Sequence, residues 1–226
     1  MNGSHSEERR IVVTGASGLL GRAVVDRLVA AKLQPIGIDL ASQGPAGIPF
    51  FDGVDLADEQ SVARIFEQIG NDGDIHGLVN VAGGFVWQTV EESCTESWQN
   101  MFRINVVSAV NASRSALSLL RSGGSIVNVG AAAAANAAAG MGAYTAAKSG
   151  VARLTEALAA ECKERGIRVN AVLPSILDTP QNRKDMGDAD SHKWVKPAEL
   201  AEVIAFLLSD AASAITGANI PVTGRL

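Results

Sequence analysis

The sequence predicts a single doubly wound (Rossmann-type) α/β fold, one parallel sheet with helices on both faces. Three observations predict it. Short β-branched runs alternate with longer amphipathic runs along the whole chain, as repeated strand–helix units do. The segment 75–81, IHGLVNV, is an almost continuous apolar run, which a parallel strand buried on both faces produces. At 226 residues the chain is long enough for one sizeable core and short for two, since domains typically run to roughly 100–200 residues. No linker, repeat or charge block divides it. Residues 10–226 are therefore expected to form a single domain, behind a polar, flexible N-terminus over residues 1–9.

The elements follow in order. Arg10–Thr14 (RIVVT) reads as the first strand and residues 18–31 as a helix. Residues 34–39 (QPIGID) are the next strand, followed by a Pro/Gly loop, a short run near 50–54 and a helix over 58–69. After the 75–81 strand, residues 98–120 read as one long helix, 125–129 as a strand, 143–165 as a helix and 167–173 as a strand. Residues 178–196 are a polar excursion, Pro197–Leu208 a helix and Asn219–Val222 the last strand.

Composition removes several classes of function. Hydrophobic residues make up 47% and aromatic ones only 4%, so the core is built from Ala, Val, Ile and Leu. With 24 acidic and 19 basic residues the net charge is −5; there is no basic footprint for nucleic acid. Two cysteines, Cys94 and Cys162, are too few for a disulfide framework, and no CxxC occurs; a cytoplasmic setting is the simplest expectation. The N-terminal residues lack the apolar stretch of a signal peptide. Residues 122–147 carry no charge, but they are mostly Ala and Gly and include Asn128 and Asn136. They read as buried loop and strand and not as a membrane span. His5, His76 and His192 lie far apart and form no metal-binding motif, so no metal site is expected.

Two motifs carry chemistry. In Val12-Val13-Thr14-Gly15-Ala16-Ser17-Gly18-Leu19-Leu20-Gly21 the glycines sit at a strand-to-helix turn. Gly15 allows the tight turn, Gly18 lets a pyrophosphate approach the backbone, and Gly21 packs helix against sheet. The amides around Ser17, Leu19 and Leu20, with the positive helix end, then hold the phosphates of a dinucleotide. Asp39, 18 residues beyond Gly21, ends the second strand. Its carboxylate is placed to accept adenosine ribose hydroxyls and to repel a 2′-phosphate, so NAD(H) is expected over NADP(H). Tyr144-Thr145-Ala146-Ala147-Lys148 is YxxxK, with the chain's only tyrosine. Four residues apart on a helix, Tyr144 and Lys148 project from one face. The ammonium is expected to lower the tyrosine pKa toward working pH, making it a usable acid or base.

From Ile11 to about Gly224 these motifs resemble the short-chain dehydrogenase/reductase family. Asp55-Leu56 is similar to the family's pair at the adenine, and Asn80-Val81-Ala82-Gly83 to its Asn-Asn-Ala-Gly segment, with Val81 in place of the second Asn. The resemblance implies hydride transfer with Tyr144 exchanging the proton and Lys148 also holding the nicotinamide ribose. It implies that the backbone carbonyl of Asn105 holds a relay water. Pro174-Ser175-Ile176-Leu177-Asp178-Thr179 resembles PGxxxT, implying that Pro174, Ile176 and Thr179 hold the nicotinamide carboxamide, with Ser175 replacing glycine. It further implies a homodimer or homotetramer through the 98–120 and 143–165 helices.

The family's catalytic serine is missing; the matching position is Ala131. The glycine spacing TGxxGxxG, the alanine-rich strip before Tyr144 and the stretch from Val172 through Trp194 resemble dihydropteridine reductases in particular. That resemblance places Phe85 in the substrate pocket, with Ala131 on its wall. Trp87 and Trp194, in the segments flanking the nicotinamide, are candidates to stack on a flat substrate. Trp98, opening a long helix, is expected in the core. Three readings stay open: an NADH-dependent reductase of a quinonoid dihydropterin-like ring, a general short-chain alcohol/carbonyl oxidoreductase on an unidentified small molecule, and a non-catalytic NAD(H)-binding regulator or scaffold.

Overall fold

The structure, a computed structural model, describes residues 9–226. The flexible segment expected over residues 1–9 lies outside the described residues except for Arg9. That residue is tied in: its guanidinium donates to Asp210 at 2.7 Å and its carbonyl accepts from Gln34 N.

Seven strands form one wholly parallel sheet: β1 (Arg10–Thr14), β2 (Gln34–Ile38), β3 (Phe50–Phe51), β4 (Ile75–Asn80), β5 (Leu120–Val129), β6 (Arg168–Pro174) and β7 (Asn219–Val222), in the order β3-β2-β1-β4-β5-β6-β7. The fold class the sequence predicts is the one observed. Alternation along β1 sorts the core into two layers. Ile11 and Val13 face α1 (Leu19–Ala30) and α7 (Pro197–Leu208), whose Leu28, Leu200 and Ile204 are fully buried. Val12 faces the other layer, α2 (Glu59–Asn71), α4 (Ser108–Leu117) and α5 (Gly142–Cys162), with Phe66, Ala112 and Leu158 packed on Leu78 and Ile126. Asp58 caps α2 by accepting from Gln60 N at 3.0 Å, which satisfies an amide left free at the helix start.

Three sequence expectations are corrected. The helix expected over 98–120 is three pieces: α3 (Thr95–Phe102), a π-helical turn (Arg103–Val107) and α4. Within the turn the Ser108 amide bonds back to Arg103 O, five residues away. An inserted residue of this kind leaves the apolar face nearly continuous, so periodicity does not reveal it. Leu120, read as the helix end, instead starts β5, which pairs with β4 through a register shift between Ile75 and Gly77. Second, the stretch after β5 is not all buried: residues 135–139 are exposed. Small side chains there have little apolar surface to gain from burial, and the segment runs over the surface as loops do. Third, Trp98 is 37% exposed, its Nε1 donating to Ser93 Oγ at 3.0 Å; the indole's polar edge keeps it at the surface. Among the described residues no helix is long and apolar enough to cross a membrane.

Candidate active site

Between β1 and α1 the chain turns in four residues. Gly15 has φ +65°, and a Cβ there would stand 2.7 Å from Ala82 N; one on Gly21 would stand 2.0 Å from Gly15 O. Both positions therefore require glycine. A Cβ on Gly18 would meet only Gly15 O at 3.5 Å, leaving this side of the turn open for a ligand to approach the backbone. Gly18 is the N-cap of α1 without a side-chain cap, and the first turn carries no acid. The first amides of α1 thus keep their hydrogen-bonding capacity, and the helix end is electropositive.

A cleft of about 690 Å³ opens in front of this turn. It lies where the strand order reverses between β1 and β4, the switch point at which doubly wound sheets bind ligands. Asp39, Asp55, Leu56, Ala82, Gly83 and Thr179 line it together with the turn. Asp39 accepts from Ser17 N at 2.8 Å and Ala41 N at 3.1 Å, so it also holds the glycine turn in shape. Glycines where a side chain would fill the cradle, free helix amides and a carboxylate beyond them fit a dinucleotide.

The other expected contact residues are engaged as follows. Asn80 is 4% exposed, and its Nδ2 donates to Ser113 Oγ at 3.0 Å and Asn128 Oδ1 at 2.9 Å. Its Nδ2 is spent on holding the end of β4, its Oδ1 is buried without a partner among the described residues, and the side chain does not line the cleft. Pro174 ends β6, and the Ile176 carbonyl accepts from Val195 N at 3.0 Å. Thr179 accepts from Asn182 N at 3.1 Å, capping the short helix α6 (Pro180–Met186).

At the chemical end, α5 presents Tyr144 and Lys148. Lys148 is 6% exposed and donates to Val129 O at 2.8 Å; burial pulls its pKa down to about 8. A Cβ on Gly83 would stand 3.4 Å from Lys148 Nζ and 2.5 Å from Asn105 Oδ1. Asn105, on the π-helical turn, donates to Gly84 O and Met101 O, both at 3.0 Å, and accepts from Gly84 N at 3.2 Å. The structure thus gathers Gly83, Asn105 and the α5 pair Tyr144 and Lys148 from three separate stretches of chain. The expected lowering of the Tyr144 pKa is corrected: burial pushes it up to about 12. The ammonium lies 6.0 Å from the phenol ring centre and is committed to Val129 O, so loss of solvent outweighs charge attraction.

Beside Tyr144, Phe85 makes an edge-to-face contact with ring centres 4.9 Å apart, yet stays 53% exposed. Trp87, also exposed, lies over Gly140, where a Cβ would come within 2.2 Å of the indole. Trp194 is only 5% exposed; it is an interior side chain here and offers no open face for stacking, which corrects that expectation. Ala131, likewise 5% exposed, directly follows the end of β5 and Gly130. The contact missed from sequence is Arg103 Nη1 to Asp55 Oδ2 at 2.9 Å. The partners are 48 residues apart and no local pattern links them.

The chain is similar to known proteins along nearly its whole length. The family model described as enoyl-(acyl carrier protein) reductase matches residues 28–224. The chain is 32% identical to meso-2,3-butanediol dehydrogenase of Serratia marcescens, covering 96% of this chain and 94% of that one. It is 30% identical to the 3-oxoacyl-[acyl-carrier-protein] reductase FabG of Haemophilus influenzae, covering 95% and 96% respectively. Among solved structures, the ligand-free aldohexose dehydrogenase of Thermoplasma acidophilum superimposes with a TM-score of 0.89 at 28% identity, over 97% of this chain and 94% of that one. A short-chain dehydrogenase/reductase of Brucella melitensis gives 0.88 at 29% identity, over 96% and 95%.

Proposed function

Because this chain belongs to the short-chain dehydrogenase/reductase family and is an NAD(P)-dependent oxidoreductase, we propose that it uses NADH to reduce a flat quinonoid ring of the dihydropterin kind. Bound NADH supplies the hydride. The glycine-turn amides and the α1 end hold the pyrophosphate, and Asp39 accepts the adenosine ribose hydroxyls while disfavouring a 2′-phosphate. Lys148 holds the nicotinamide ribose and orients Tyr144. Thr179, with the backbone at Pro174 and Ile176, fixes the carboxamide and so the exposed ring face. Asn105 offers its carbonyl to a relay water, and the π-helical turn that carries it is a local departure of the kind often found at functional sites. Tyr144, whose pKa burial raises, is protonated near neutral pH and stands as a proton donor. The helices α3 to α5 serve as the contact in a homodimer or homotetramer, and the free thiols of Cys94 and Cys162 suit a reducing cytoplasm.

The observation that carries the substrate reading is Ala131. A ketone needs its oxygen polarised, and removing one such donor typically costs about 10²–10³ in rate. A quinonoid ring is activated by its own conjugation and tolerates the loss. The open faces of Phe85 and Trp87 suit a flat substrate. The second reading, a general alcohol/carbonyl oxidoreductase, draws support from the butanediol and oxoacyl relatives. A side-by-side NADH assay of quinonoid dihydropterin and simple ketones, on wild type and Ala131→Ser, separates the two. Faster quinonoid reduction, with Ala131→Ser raising ketone turnover more than quinonoid turnover, supports the first. Robust wild-type ketone turnover with quinonoid acceptors inert leaves only the second.

A further inference from the structure

The residues lining the cleft include two carboxylates, Asp39 and Asp55, and no lysine or arginine. A dinucleotide brings a doubly charged pyrophosphate into this acidic setting. Two arginines stand just behind this lining: Arg22, whose Nε donates to Ser17 O at 2.9 Å in the glycine turn, and Arg103, which is paired with Asp55. Arg103 Nη1 lies 2.9 Å from Asp55 Oδ2, while Asp55 Oδ1 accepts from Ala57 N at 2.9 Å. With the nicotinamide half directed to Tyr144 and the pyrophosphate to the glycine turn, the adenylate half is left the arm walled by Asp39, Ala41, Val54 and Asp55.

We propose that Arg103 is a positioning residue for the adenylate half of the dinucleotide, acting through Asp55. It neutralises Asp55 beside the part of the cleft in which the adenylate docks. The inference rests on the reading of the cleft as a dinucleotide site. Both partners are about half exposed, so the effect is that of a partly solvated pair, and it shrinks as salt rises. Arg103 opens the π-helical turn that carries Asn105, so a purely structural role would disturb the chemical end as well. A role at the adenylate spares that end, and the two are separable by ligand.

The test is equilibrium titration of wild type, Arg103→Gln, Arg103→Lys and Arg103→Gln/Asp55→Asn with NADH and with reduced nicotinamide mononucleotide, which lacks the adenylate. The expected result is an NADH Kd raised about fivefold in Arg103→Gln, with mononucleotide affinity unchanged. Arg103→Lys retains most of the NADH affinity. The double variant binds NADH more tightly than Arg103→Gln, because the uncompensated carboxylate has gone. Equal weakening toward both ligands, no change toward either, or a double variant no better than Arg103→Gln overturns the inference. Failure of the wild type to bind NADH overturns the reading of the cleft, and the inference with it.

Discussion

Asp39, Tyr144 and Lys148 are the side chains on which the account rests, and each has a measurable signature. Asp39 leaves no room in charge terms for a 2′-phosphate, so kcat/KM with NADH should exceed that with NADPH by tenfold or more, an estimate of about 1.4 kcal/mol of repulsion; Asp39→Ser should narrow the gap. Lys148 has a folded pKa near 8, below its usual 10.5. A depressed pKa means the stability it contributes is present above pH 10.5 and is lost as pH falls through about 8. Thermal melting of the ligand-free protein should therefore rise between pH 8 and pH 10, and Lys148→Met should lack this rise. Tyr144 acts in the opposite sense, but only from about pH 10 upward; the thiols of Cys94 and Cys162 also titrate around this window, so the difference between wild type and Lys148→Met, and not the wild-type slope alone, gives the share of Lys148. These identities were legible in the sequence, because YxxxK and the glycine turn are local patterns. The pKa directions of Tyr144 and Lys148 were not. Desolvation depends on what packs over α5 from distant segments, such as Phe85 and Gly83.

At the scale of elements, legibility followed the strength of the local signal. β1, α7 and β7 were read to their ends because alternation, Pro197 and the flanking turns mark them. The α3–π–α4 break was not, since an inserted residue hardly changes the apolar stripe, and Asn105 owes its grip on Gly84 to that break. The Arg103–Asp55 pair was hidden for a different reason: it joins the π-helical turn to the segment before α2. The glycine turn supplies the prediction here. A methyl on Gly21 would stand 2.0 Å from Gly15 O, a clash with backbone that cannot be relieved by a rotamer. Gly21→Ala should lower the melting temperature, by a few degrees for about 1–3 kcal/mol of overpacking. It should also weaken NADH binding at least tenfold by displacing the amides. An unchanged NADH Kd, measured by titration, would show that the turn is not the phosphate cradle.

The whole molecule carries exposed apolar surface on and beside the α3–α5 face, with Phe102 51% and Val90 71% exposed. Large apolar side chains grouped on one face mark an interaction surface, and symmetric pairing is the usual way to cover one. Light scattering at micromolar concentration should give a dimeric or tetrameric mass, and Phe102→Glu should shift it toward the monomer. The most direct test of the central claim, that the α5 phenol supplies the proton at a dinucleotide site, is Tyr144→Phe. Turnover and NADH Kd are to be measured on the same preparation. The account predicts a kcat reduced by about 10²–10⁴ with the Kd close to wild type, because affinity rests on Gly15, Gly18, Gly21 and Asp39. Turnover retained within a few-fold would contradict it and assign the proton to another acid.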